Sequence, residues 1–348
     1  MAIKPFAHGN ATTVTEAVEA LSASCRPLAG GTDLLARMKA DLTAPESLVN
    51  LKTIPELQKI DETTEGLRIG AMVTLSQLAA HLAGPEPTEL GREDRPELGR
   101  GSLTRSSMAV LHQSILQTAS PQLRHMATLG GNLLQEPRCW YYRNKLTPCW
   151  RKGGRLCYAY RGENKRHVIL GGGPCYAVHP SDPAVALLAM DASLRIVGPA
   201  GERTMSLAEF YHPPDRETRT VVDLATDELI TDIFVPAPQT GTRGIYVKVS
   251  ERAAWDFALA AVAIQAVMEG DTVRSSHVVL GGMATIPWRA SQVEEVLMGQ
   301  ASSPTPLSAA VIDRAAEAVV DDIRPLEHNG YKADLLQGVL REALDQLL

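Results

Sequence analysis

Apolar positions along the chain change their period several times, and each change marks an element. From Val14, VTEAVEALSA repeats its apolar residues at helical spacing behind a Thr-x-x-Glu capping box formed by Thr13 and Glu16, which predicts a helix. SCRPLAGG then reads as a short strand running into a glycine turn, and TDLLARMKADL as the next helix. SLVNLK is predicted as a strand, KIDETTEGLRIGAMV as a hairpin, and the residues from Thr74 onward as a helix. Residues 84 to 104 combine glycine, proline and charge without a period, the mark of an exposed loop; MAVLHQSILQ is helical again. Beyond residue 237 the style changes: GIYVKVSER, DFALAAVAIQAVM and SHVVLGGMA predict three strands joined partly by the EGDT turn, and helices finish the chain. The longest apolar runs, PAVALLAMDA and FALAAVAIQAVM, fall short of the ~18 to 20 residues that span a bilayer, so they are core segments and no membrane span is expected.

With 348 residues the chain has material for two or three domains. A boundary is expected between 222 and 240, near the proline-bearing VPAPQTG, dividing residues 1–222 from 223–348. Hydrophobic residues at 45% and charged residues at 21% are ordinary soluble usage, and a net charge of −6 offers no basic face to nucleic acid. MAIKPFAHGNATTVTEA lacks the pattern of a secretory signal, which makes the cytoplasm the expected compartment.

Three segments suit an anionic cofactor. In AGGTDLL, residues 29–35, paired glycines between strand and helix let backbone N–H groups converge on a phosphate. In ATLGGNLL, residues 127–134, Gly130 and Gly131 leave room for a diphosphate, while Thr128 and Asn132 supply side-chain hydrogen bonds. In HPSDPAVALL, Ser181 caps a helix and leaves Asp182 ionised at its start, able to accept from ribose or ribityl hydroxyls. Each segment alone is more often a simple turn or cap. Neither GxGxxG nor GxxxxGK[ST] occurs, which excludes Rossmann and P-loop nucleotide sites.

Four of the five cysteines fall within residues 139–175, separated by nine, seven and seventeen residues and crowded by tyrosine and tryptophan. Thiolates converging on one point need a cation, so Cys139, Cys149, Cys157 and Cys175 are candidate metal ligands for iron-sulfur; zinc, which commonly uses short C-x2-4-C pairs, and disulfides or free thiols remain alternatives. Arg138, Arg143, Lys145, Arg151, Lys152 and Arg155 around them suit a negative cluster, a docking surface for an acidic electron carrier, or a solvated loop. Cys25 stands apart as a small buried hydrophobe. His125, His167, His179 and His212 form no H-E-x-x-H pair and read as hydrogen-bonding or surface residues; no G-x-S-x-G elbow appears.

Taken in order, LAGGTDLL, QLRHMATLGGNLLQ, HPSDPAVALL and YVKVSERAAWDFA resemble the FAD-binding medium subunits of molybdenum hydroxylases, the family of xanthine dehydrogenase, carbon monoxide dehydrogenase and aldehyde oxidoreductases. The resemblance covers essentially the whole chain. It implies an α+β fold: a two-subdomain FAD-binding domain of the vanillyl-alcohol-oxidase-like type, then a C-terminal domain with a three-stranded antiparallel sheet and helices. It also implies that Ala29, Gly30, Gly31, Thr32 and Asp33 wrap one side of the FAD diphosphate and Thr128, Gly130, Gly131 and Asn132 the other, with Asp182, Ile230 and Lys248 near the ribityl chain or flavin ring. The cysteine insertion, residues 136–178, resembles a subset of the family, the flavin subunits of 4-hydroxybenzoyl-CoA reductase and, more closely, of a periplasmic-type aldehyde oxidoreductase, in which four cysteines bind a 4Fe-4S cluster. Implied partners are a molybdenum-cofactor large subunit, a 2Fe-2S small subunit and an external electron acceptor, with export on a partner's signal as the alternative to the cytoplasm. Two other readings compete: a scaffold subunit with structural zinc, and a stand-alone FAD-dependent oxidase.

Overall fold

The computed structural model describes residues 3–83, 107–299 and 306–347, so the loop expected over 84–104 lies outside the described residues. The chain begins β1 (Ala7–Asn10), α1 (Val14–Ala20), β2 (Cys25–Leu28), α2 (Leu34–Lys39) and β3 (Ser47–Asn50). Both β1 and β2 pair in parallel with β3, forming a small three-stranded sheet. Thr13 caps α1 by accepting from Glu16 N, but the Glu16 carboxylate reaches one residue further back, accepting from Thr12 N at 2.7 Å.

Next come β4 (Ile60–Thr63), β5 (Gly66–Gly70) and α3 (Leu75–Ala83), the predicted hairpin and helix. Short helices α4 (Ala109–Leu116), α5 (Pro121–Met126), α6 (Leu129–Leu133) and α7 (Trp140–Arg143) lead into the cysteine segment. Then follow α8 (Asp182–Ala189), β6 (Ser193–Gly198), β7 (Gly201–Ser206), α9 (Leu207–Phe210) and β8 (Leu229–Pro236). The second sheet has the order β4-β5-β8-β6-β7. Because β8 is its middle strand, a division at 222 would cut this sheet; it continues to Pro236.

The chain closes with β9 (Thr242–Val249), β10 (Ala260–Glu269), β11 (Thr272–Gly281), β12 (Trp288–Arg289), α10 (Ser291–Met298), α11 (Ala309–Ala318) and α12 (Tyr331–Asp345). The expected three strands are present, but the antiparallel sheet has four: β12 adds two residues opposite Val279 and Leu280. A two-residue strand carries too little alternation to be read from sequence.

The apolar run of β10 is explained by burial on both faces. Ala261 and Ala263 face α4 and α8 within the largest core, while Ala260, Val262 and Ile264 face α12 in the second core. Small residues point to the closely packed helices and larger ones to the outer layer. Helix α8 is buried along its whole length between the second and third sheets, as its apolar sequence requires. The largest core therefore takes side chains from both halves of the chain.

Candidate functional site

The loop after β2 and the loop before α6 meet across one cleft. Ala29, Gly30, Gly31, Thr32, Asp33, Thr128, Gly130, Gly131 and Ile230 all line it, so residues a hundred positions apart come together as expected. Gly31 adopts φ +72°, which bends the first loop. Thr128 caps α6 by accepting from Gly131 N at 3.2 Å, and backbone bonds from Leu129 N to Val73 O and Gly130 N to Ala71 O fix the second loop against the start of α3.

The glycines do different work from one another. A Cβ on Gly30 would lie 1.8 Å from Met126 O, and one on Gly130 would lie 2.8 Å from Ala71 Cβ, so both are bare to let protein elements approach. A Cβ on Gly131 would meet Thr128 Oγ1 at 2.9 Å and stand 3.8 Å from Ala29 Cβ, inside the gap between the loops. That gap is a cradle a side chain would fill. Two cleft residues had no motif to announce them: Arg26 on β2 and Arg37 on α2. Burial, with the neighbouring Arg37 charge, lowers the Arg26 pKa, and Arg37 Nε is buried with no hydrogen-bond partner. Desolvated cations with an open donor fit a diphosphate.

Asn132, Asp182 and Lys248 do not line this cleft. Asn132 Oδ1 accepts from Ser181 Oγ at 2.5 Å, and Ser181 Oγ caps α8 by accepting from Ala184 N, so Asn132 ties the second loop to α8. Tyr246 and Lys248, two apart on β9, project from one face onto the start of α8. Tyr246 Oη and Lys248 Nζ each donate to Asp182 at 2.7 Å, and Lys248 Nζ also donates to Gln117 O and Asp256 O at 2.9 Å. All three ammonium hydrogens are thus engaged. Burial pushes the Asp182 carboxyl up, and Lys248, Tyr246 and Thr118 offset part of that rise.

Cys139, Cys149, Cys157 and Cys175 are free thiols, and Cys25 sits buried in the small core beside the first sheet. Burial pushes the Cys139 thiol up to about 12, with Cys175 and Cys157 adding to it, and raises Cys157 and Cys175, each of which also feels Cys149. Cys139 packs against a small apolar cluster of Trp150, Cys175 and Ala177. Backbone N–H groups of Tyr141 and Tyr142 point at Cys139, those of Tyr176, Ala159 and Tyr160 at Cys157, and that of Ala177 at Cys175. Among the described residues no group of three or more His, Cys, Asp or Glu is disposed to hold a metal ion.

Most of the surrounding cations are paired. Arg138 and Arg143 reach Asp33 at 2.9 and 2.8 Å, Lys145 reaches Asp41 at 3.2 Å, and Arg151 reaches Glu136 at 3.0 Å, whereas Arg155 is exposed. His167 is buried, with Nε2 3.3 Å from Cys139 Sγ, and desolvation holds it down at about 4, so its ring is neutral. A clamp from the far end of the chain holds the same stretch: Asn329 Nδ2 donates to the carbonyls of His167 and Val168, Lys332 Nζ to His167 O and Gly282 O, and His328 N to Asn164 Oδ1. The contacts with Asn164, His167 and Val168 span more than 160 positions and left no local mark in the sequence.

Residues 4–238 match the family described as FAD binding domain in molybdopterin dehydrogenase, and residues 245–347 match the CO dehydrogenase flavoprotein C-terminal domain. The aldehyde oxidoreductase FAD-binding subunit PaoB of Escherichia coli (strain K12) is 35% identical over 98% of each chain. The carbon monoxide dehydrogenase medium chain of Afipia carboxidovorans is 27% identical over 94% of this chain and 90% of its own. The fold is shared with a solved carbon monoxide dehydrogenase chain from Hydrogenophaga pseudoflava, at a TM-score of 0.72, 24% identity and coverage of 100% of this chain and 98% of that one. Matched by the first family across most of its length and by its relatives nearly end to end, the chain belongs to the FAD-binding subunits of the molybdopterin dehydrogenases and is an oxidoreductase subunit.

Proposed function

We propose that this chain is the electron-transfer subunit of a molybdenum-dependent aldehyde oxidoreductase, working with a molybdenum-cofactor large subunit and a 2Fe-2S small subunit and delivering electrons to an external acceptor. The observation that carries the reading is the cleft in which two glycine loops face each other beside Arg26 and Arg37. Bound flavin supplies the exchange between one- and two-electron transfer. The chain's own part is to hold and orient it. Backbone N–H groups of the two loops and the Arg37 guanidinium would hold the diphosphate, and Ile230 would offer an apolar wall to the ring. The substrate class is carried over from the aldehyde oxidoreductase relative.

We further propose that Cys139, Cys149, Cys157 and Cys175 hold a 4Fe-4S cluster as an auxiliary relay. Four free thiols in one segment, three of them met by backbone N–H donors, support it. Zinc would draw its sulfurs to about 3.8 Å of each other, given bonds of about 2.3 Å in a tetrahedron. A cluster is wider than an ion and leaves its ligands further apart.

The test is to co-express the chain with its partner subunits and measure flavin, iron, acid-labile sulfide and zinc in the purified complex. About one FAD and about four irons per chain are expected, with the visible spectrum bleaching on addition of aldehyde. A colourless complex containing zinc would overturn the reading in favour of a scaffold, and aldehyde oxidation by this chain alone would point to a stand-alone oxidase.

A further inference from the structure

We propose that Asp33 is a positioning residue that makes flavin binding depend on the folded cysteine loop, through neutralisation of its carboxylate in the diphosphate cleft. Asp33 lies at the end of the first glycine loop, in the N-cap position of α2, where an aspartate ordinarily accepts from the first free N–H groups. It makes no such bond. Its carboxylate is turned instead to the cysteine loop: Oδ1 accepts from Arg138 Nη1 at 2.9 Å and Arg143 Nη2 at 2.8 Å, and Oδ2 accepts from Glu136 N at 3.2 Å. The side chain is only 14% exposed.

Both arginines flank Cys139: Arg138 precedes it, and Arg143 N donates to Cys139 O at 2.9 Å. Arg143 Nε and Nη2 also bind the carbonyls of Pro137 and Glu136 at 2.8 Å, so the guanidinium is fixed to the strap it rides on. The same strap is gripped from its far side by Arg151, two residues past Cys149, which binds the Glu136 carboxylate. Order in the cysteine loop thus sets where both guanidinium groups lie.

The electrostatic consequence is direct. Asp33 lines the flavin cleft, and a lone carboxylate there repels a diphosphate. With the cysteine loop in place, Arg138 and Arg143 neutralise Asp33, and the positive charge of Arg26 and Arg37 is left to the diphosphate. When the loop loses its order those two arginines leave, and the bare carboxylate offsets part of the attraction from Arg26 and Arg37. Linkage makes this reciprocal: bound flavin favours the ordered loop to the same extent.

This inference rests on the flavin and cluster reading above, and its test separates the two. FAD dissociation constants would be measured on the apo-flavin complex for the wild type, Cys139→Ala, Asp33→Asn and the double variant, with iron assayed in each. Loss of the cluster should weaken FAD binding about tenfold with Asp33 present, but by less than about twofold in the Asp33→Asn background, so that Asp33→Asn restores binding to the cluster-free protein. Equal weakening in both backgrounds would overturn the proposal. Should the wild type hold no iron, the cluster reading falls by itself, and Arg138→Met/Arg143→Met with and without Asp33→Asn still tests the charge switch: rescue upholds it, and additive loss refutes it.

Discussion

Gly30 and Gly131 look alike in sequence, yet the structure gives them opposite sensitivities. A methyl group on Gly30 collides with the Met126 carbonyl at 1.8 Å and would drive the loops apart. Gly30→Ala should therefore lose FAD and also about 1 to 3 kcal/mol of stability, read by flavin content and thermal unfolding. A methyl on Gly131 displaces only the Thr128 hydroxyl. Gly131→Ala should empty the cleft of flavin while costing about 1 kcal/mol, the worth of one cap. Lys332 offers a test by pH. It is fully buried, and desolvation pushes its ammonium down to about 7 from the ordinary 10.5. Between those two values the unfolded chain holds a proton that the folded chain does not, so this group makes stability rise with pH; below about 7 both states are protonated and its unfavourable contribution is constant. Relative to wild type, Lys332→Met should show a smaller gain in melting temperature from about pH 7 to about pH 10. At this scale the glycine loops were legible because turns restrict residue type. Arg26, Arg37 and Lys332 were not, because an isolated cation on a strand or helix carries no sign of what it will face.

Elements were legible where their period was long enough to count. The strand β10 was expected from its run of small and branched residues, and the reason for the run emerged only with the fold: both faces are covered. Ala263 sits opposite Tyr246 and Val279 on the face turned to α4 and α8, with no exposed surface. Ala263→Leu should overpack this layer and cost about 1 to 3 kcal/mol, measured by urea unfolding, whereas the same enlargement at an exposed position such as Ala309 or Ala310 is not expected to matter comparably. The two-residue β12 and the place of β8 in the middle of its sheet escaped the sequence, since strand pairing is decided by partners far along the chain.

For the whole molecule, the family match divides the chain between residues 238 and 245, but the packing does not divide there. The largest core joins Leu67, Leu194 and Ile233 of the second sheet to Tyr246, Ala261 and Val279 of the third. Calorimetry of the chain should accordingly show one unfolding transition, with two separated transitions as the contrary result. The clamp on the cysteine loop carries a consequence for biosynthesis. Asn164, His167 and Val168 are gripped by His328, Asn329 and Lys332, which are made more than 150 residues later in the chain. Until residues 328–332 have been made, that grip does not exist, and the thiols stay in an unfastened segment. On the proposed cluster reading, a chain truncated before His328 should carry less iron than the full chain, measured by iron content of the purified proteins.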